Sequence, residues 1–331
     1  MSKQFYNMVV YLVLIALLLS ACQPNPSVTA TGTSLVALYT ATSASPTTNS
    51  TIIESQPNLF DGAYFGQKPP GLTPEVFAPG LVSLPDRRET KIIFSPNGLL
   101  AIIGANKRLF YAQLENGHWS DIQPADFLDA QMIGSDVEPF ISPDGQKLFF
   151  IRNANIWMST LENNEWSNPF PLDSPINTSS DEDWHPTVTA DGTLYFGTNR
   201  DKPDGGYAIY CSRLTGDEYT QVEKLDGAIN SQYGAWDPFI APDESYMIFS
   251  SQHPDGYGKA DQYISYYRDG NWSEPKNLGP EINTSGIEYG SYISPDGKYY
   301  FFSRPIGWGV NDPADIFWVD SRVIFGDAPS K

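Results

Sequence analysis

Acidic and aromatic residues recur at fixed distances before a repeated turn. Counted back from the third residue of that turn, Glu89, Asp136, Asp183 and Glu288 stand eight positions earlier, with Ala235 in the remaining place. Six positions earlier stand Lys91, Glu138, His185, Asp237 and Gly290, and seven earlier lie Trp184, Trp236 and Tyr289 in three successive units. Side chains two apart on a strand share a face, so both acidic series are expected to line one funnel. The candidate ligand-binding set is therefore Asp136, Glu138, Asp183, Trp184, His185, Trp236, Asp237, Glu288 and Tyr289. Such a surface suits a metal ion, a basic peptide segment or a sugar stacked on tryptophan. If the chain were an enzyme, Asp136, Asp183, Asp237 and Glu288 would supply the acid and the base or nucleophile of a glycoside hydrolase. Repeated acids at equivalent positions are better explained by the repeat, because catalysis needs two carboxylates in unlike environments. An acid ahead of a strand also serves simply to bond loop amides.

Other chemistry is poorly represented. His185 is one of three histidines, with His118 and His253, and the chain has no HExxH motif, phosphate loop, CxxC or nucleophile elbow. Calcium needs six or more converging oxygens. The scattered acids permit that ion without spelling a loop motif, and no other cofactor is expected. Catalysis is thus less expected than binding.

The elements that must position these residues follow from the turn itself. It appears as Ser95-Pro96-Asn97-Gly98, Ser142-Pro143-Asp144-Gly145, Thr189-Ala190-Asp191-Gly192, Ala241-Pro242-Asp243-Glu244 and Ser294-Pro295-Asp296-Gly297. From Asn97 through Asp144, Asp191 and Asp243 to Asp296 the steps are 47, 47, 52 and 53 residues. Periods of about 40–50 residues built from short strands predict a β-propeller with one blade per repeat. Within a unit, a short strand enters the turn, and a second, aromatic strand leaves it (Leu148, Phe149 and Phe150 in one case). Ile156-Trp157-Met158 forms a third and Glu165-Trp166-Ser167-Asn168-Pro169 an outer fourth, where an edge position tolerates proline. Ile176-Asn177-Thr178 then leads onward. The last unit lacks its outer strand, and Phe77–Ser83 looks like a displaced copy of Asn277–Asn283. This N-terminal segment is expected to complete the last blade and close the ring. Five anchors give five blades of four strands in an all-β fold; a sixth, degenerate blade from residues 59–90 is the competing arrangement.

These units resemble the WD40-like repeat, often called PD40, of TolB-type propellers. The resemblance rests on the Pro-Asp-Gly turn, on Phe302-Ser303-Arg304 and on Asp315-Ile316-Phe317. It implies a scaffold of the cell envelope that binds a protein or peptide. The N-terminal α/β domain of TolB has no counterpart here.

The N-terminus gives an address. Lys3 precedes the apolar stretch Met8–Leu19, which has the length of a signal-peptide core. It ends in Leu19-Ser20-Ala21-Cys22, which resembles a bacterial lipobox with Cys22 as the lipidated residue. Residues 1–21 are thus read as a lipoprotein signal peptide. Residues 22–58, rich in Ser, Thr, Ala and Pro, are read as a disordered tether, and residues 59–331 as the propeller. A lipid-anchored protein of the cell envelope is expected, at the outer membrane if the host is Gram-negative. Cys211, the only other cysteine, is read as a small buried hydrophobe. The 331-residue chain has 39 acidic and 20 basic residues, a formal charge of −19. That balance excludes the basic footprint of a nucleic-acid binder. The expected partners are an envelope protein or peptide, with glycans as the alternative, and the chain is expected to be a monomer.

Overall fold

The computed structural model describes residues 61–128, 138–201, 206–307 and 312–326. Five antiparallel sheets follow one another along the chain, each built on one anchor turn. Blade 1 runs from its inner strand Glu89–Phe94 through Leu100–Ala105 to Arg108–Glu115. Blade 2 comprises Phe140–Ile141, Lys147–Arg152 and Asn155–Glu162, and blade 3 comprises Asp183–Val188, Leu194–Thr198 and Ala208–Ser212. Blade 4 comprises Trp236–Ile240, Tyr246–Ser251 and Asp261–Arg268, and blade 5 comprises Tyr289–Ile293, Tyr299–Pro305 and Ala314–Asp320. In blades 1, 2 and 4 the fourth strand is broken into two short pieces, such as Glu165–Trp166 and Phe170–Pro171, both paired to the third strand. The first strand of every blade touches the first strands of both neighbours, so these five strands surround the axis. Among the described residues no sixth blade forms. Among the described residues, no helix is long and apolar enough to cross a membrane.

The repeat works through a few side chains. In the turn, Asp144 Oδ1 accepts from the Ser142 hydroxyl at 2.5 Å and from the Gln146 amide at 3.0 Å, while Gly145 takes a φ of 75° that a Cβ would oppose. The Asn of each Ile-Asn segment replaces a strand. Asn177 accepts from the Ile156 amide and donates back to the Ile156 carbonyl, both at 2.8 Å. Asn230 does the same to Ile209, and Asn283 to Gln262. The preceding Ile176, Ile229 and Ile282 are buried as plugs between blades.

Closure of the ring follows from the same device. Glu75–Val76 pairs antiparallel with the third strand of blade 5, opposite Trp318 and Phe317. Further along, Ser83 stands where Asn283 stands in the copy, and its hydroxyl accepts from the Ile316 amide at 3.2 Å. Val82 is the buried plug, and Phe77 packs edge-on against Phe301 and Trp318. The expected displaced copy therefore closes the propeller, with the paired strand beginning two residues earlier.

Cys211 is buried in blade 3. The only other cysteine, Cys22, lies outside the described residues, as do the signal peptide and the tether.

Candidate functional site

The inner strands carry the candidate residues at the end of the channel remote from the anchor turns, and a β-bulge sorts them. Pairing slips by one residue between Glu89 and Lys91, between Trp184 and Thr187, between Trp236 and Phe239, and between Tyr289 and Tyr292. A bulge adds one residue to one strand and re-aims side chains. His185 and Asp237 occupy it with φ of 53° and 54°, in the left-handed region, and the equivalent Gly290 has 72°. Asp and His enter that region more readily than most residues. Proline follows His185 and Asp237, a residue without the amide that a bulge leaves unpaired. Strict alternation is therefore lost, and the two acidic series separate.

The series eight positions before the anchor is tied to arginine. Asp183 is buried, with the Arg200 guanidinium at 2.8 Å and the Thr178 amide donating at 3.0 Å. Glu288 is buried against Arg304 at 3.1 Å and accepts from the Thr284 hydroxyl at 2.7 Å. Glu89 meets Arg87 at 2.6 Å, and burial still pushes its carboxyl up to about 7. Burial likewise raises the Glu288 carboxyl. Arg304 is the last residue but one of the second strand of blade 5, and Arg200 lies two residues beyond the end of that of blade 3. In blade 4, where Ala235 replaces the acid, Ser251 ends that strand instead. Asp136 lies outside the described residues.

The series six positions before the anchor converges on the axis. His185 Nδ1 lies 3.2 Å from Asp237 Oδ1 and 3.8 Å from Glu138 Oε2, and one ligand atom from each residue falls within 4.8 Å of the other two. Glu138 and Asp237 are buried, whereas the His185 side chain is 16% exposed. None of these three atoms has a hydrogen-bond partner, and neither does the buried Lys91 ammonium. The other Asp237 oxygen is held by the Gly290 amide of the next blade. Burial alone would lower the imidazole, but Asp237 and Glu138 outweigh it and push His185 up to about 10. Burial works to raise Asp237, yet His185, Lys91 and the Gly290 amide together hold it below the usual carboxylate range.

The aromatics frame this cluster. Trp184 and Trp236 are half-buried, and the Trp184 ring centroid is 5.9 Å from that of His185. Trp236 lies against Gly197 and Gly234. Tyr289 is buried beneath the Arg88 guanidinium, 5.2 Å from its ring centre. The Trp184 indole nitrogen and the Tyr289 hydroxyl also lack partners.

Of the expected set, then, the structure brings Glu138, His185 and Asp237 together, with Trp184 beside them. Asp183 and Glu288 are committed to arginine. Of the four acids named for glycoside hydrolysis three are described, and among these only Asp237 reaches the axis. Lys91 and the arginine partners were not named as site residues from the sequence. Their signals were the place of Lys91 in the converging series and, in blades 3 and 5, an Arg at or just beyond the end of the second strand where an acid precedes the anchor by eight residues.

No protein-family model matches the chain, and no curated protein does. Among solved structures, a putative TolB from Agrobacterium tumefaciens is 15% identical with a TM-score of 0.48, over 72% of this chain and 78% of that one. TolB from Acinetobacter baumannii is 15% identical at 0.44, over 70% of this chain and 54% of that one. Hydrazine synthase from Kuenenia stuttgartiensis is 11% identical at 0.42, over 76% and 81%. None reaches a TM-score of 0.5, and likeness so distant leaves ligand and activity to be argued from the chain's own residues.

Proposed function

We propose that this chain is a binding propeller of the cell envelope, tethered through a lipidated Cys22, whose axial funnel receives a segment of a protein partner. One observation carries the reading. Lys91, Glu138, His185 and Asp237, from four blades, keep buried polar atoms without hydrogen-bond partners at one end of the channel. A buried polar atom left unsatisfied costs about 1–3 kcal/mol; His185, Asp237 and Glu138 offset part of that cost as ion-pair neighbours, and a ligand reaching the axis would offset the rest. Charge and hydrogen-bonding groups of both signs suit a peptide better than an apolar ligand. The half-buried Trp184 and Trp236 add apolar contact beside the cluster. A single chain supplies every residue of the site, so a monomer suffices. The PD40-like repeat agrees with an envelope scaffold, and the apolar leader before Cys22 agrees with export.

The test is site-specific photo-crosslinking in native membranes. A crosslinker replacing Trp236 is expected to capture one specific protein, whereas a crosslinker replacing Leu99, beside an anchor turn at the opposite end, is not. Capture at Leu99 alone, or at neither position, would overturn the reading. The anchor has its own test, because a thioether at Cys22 consumes the sulfur that a bridge from Cys211 within one chain would need. Mass spectrometry of the mature protein is expected to show acylated Cys22; an unmodified Cys22 joined to Cys211 would remove the tether.

A further inference from the structure

We propose that Glu138, His185 and Asp237 form a binding site for a divalent transition-metal ion, closed by three successive blades. The inference deepens the binding site above and rests on reading the cluster as a ligand centre, but its test needs no partner. Three features carry it. First, the ligand atoms converge: Nδ1 to Oδ1 is 3.2 Å, Nδ1 to Oε2 is 3.8 Å, and all three pairs fall within 4.8 Å. An ion about 2.0–2.2 Å from imidazole and carboxylate atoms holds its ligands roughly 3.0–3.6 Å apart, so only Glu138 has to close slightly. Second, the converging atoms have no hydrogen-bond partner beyond one another, and Asp237 and Glu138 are 0% and 4% exposed. Third, Asp237 is fixed from behind, because the Gly290 amide takes its other oxygen and leaves Oδ1 facing the imidazole. Such supporting contacts orient a metal ligand.

The donor set selects the class of ion. One imidazole nitrogen and two carboxylate oxygens suit zinc, manganese, iron or nickel. Calcium prefers six or more oxygens, which the three residues do not provide. Binding requires His185 to lose its Nδ1 proton. Two carboxylates against a dication and the Lys91 ammonium then leave one net positive charge and an open coordination position. That position takes a water or an anionic oxygen, and a carboxylate of the entering partner segment has the right chemistry.

The experiment uses the full chain in detergent, stripped with chelator, loaded with zinc or cobalt(II) and dialysed. Retained metal is measured by elemental mass spectrometry, and cobalt coordination by visible absorption. The expected result is one ion per chain, a cobalt spectrum of low-symmetry nitrogen and oxygen ligation, and a raised unfolding temperature. His185→Gln and Asp237→Asn should each weaken retention by more than about 10-fold, while Glu288→Gln, in an arginine-paired acid, should not. The wild-type cobalt spectrum reports ligation even if a variant folds poorly. Retention by wild type no greater than by His185→Gln and Asp237→Asn, or a spectrum of six water-like oxygens, would overturn the proposal. Loss of metal with partner capture intact would end the metal site alone; metal retained without any capture would end the partner reading alone.

Discussion

Two rings of charge sit two residues apart on the same inner strands, and they are built on opposite terms. In the outer ring, Glu89, Asp183 and Glu288 each face an arginine, and Asp183 has both oxygens occupied. In the inner ring, Glu138, His185 and Asp237 face one another across the axis with no arginine among them, although Glu89 and Glu288 in the outer ring also each keep one oxygen without a hydrogen-bond partner. A repeat that can place an arginine opposite every acid has done so in one ring and not in the other. The difference separates what holds the propeller together from what it holds the propeller together for.

The comparison can be broken most forcefully in the outer ring. Arg200→Met leaves Asp183 buried and unpaired and frees the Pro175 and Ile176 carbonyls that Arg200 now binds. Removing one partner of a buried pair costs about 3–5 kcal/mol, and the urea midpoint should fall accordingly. Next comes Gly290→Ala, because a Cβ there would lie 2.4 Å from the Thr90 carbonyl at a φ of 72°. A loss of about 1–3 kcal/mol is expected, read in the same titration. An inner-ring change at Glu138 should do little to stability. Glu138→Gln, farther from the imidazole than Asp237 is, should move it by no more than about 1 kcal/mol, with a gain as acceptable as a loss. A Glu138 variant as damaging as Arg200→Met would erase the distinction.

The smallest effect is a slope with pH. Glu89 stands at about 7 against an ordinary 4.5, and His185 at about 10 against 6.5, so the folded chain holds extra protons between those values. Burial raises Glu244 and Glu288 in the same sense. A group raised on folding stabilises below its unfolded value and loses that contribution as pH rises through the folded one. Thermal stability is therefore expected to decline from about pH 5 towards pH 10, with Glu89→Gln flattening the lower part of that slope. Below about pH 4 stability should fall again, because Asp191, Asp237 and Asp296 are held low: burial opposes this, but partners such as Thr189, His185 and Ser294 prevail.

The fold was legible in the sequence because its devices are local and repeated. The turn, the Ile-Asn plug and the Trp-Ser outer strand recur with few changes, and even the closing segment, Phe77–Ser83, reads as a copy of Asn277–Asn283. The site was legible only in part. Glu138, His185 and Asp237 lie 47 and 52 residues apart and are unlike in type, so nothing local joins them until the ring closes. Alternation along a strand placed both acidic series in one funnel; a single bulged residue, with proline after His185 and after Asp237, undid that. Arg200 and Asp183 are 17 residues apart, Asp183 opposite Thr198 at the end of the paired strand and Arg200 two residues beyond it. Their pairing could have been read from blade 4, where acid and arginine are missing together.

The most direct test of the two-ring account is partner capture from native membranes by three forms of the full-length protein, each first matched for thermal unfolding. These are wild type, an inner-ring form with Glu138→Gln and Asp237→Asn, and an outer-ring form with Glu288→Gln and Arg304→Gln. The account predicts that wild type and the outer-ring form capture the same protein and the inner-ring form does not. Capture retained by the inner-ring form, or lost only in the outer-ring form, would contradict it.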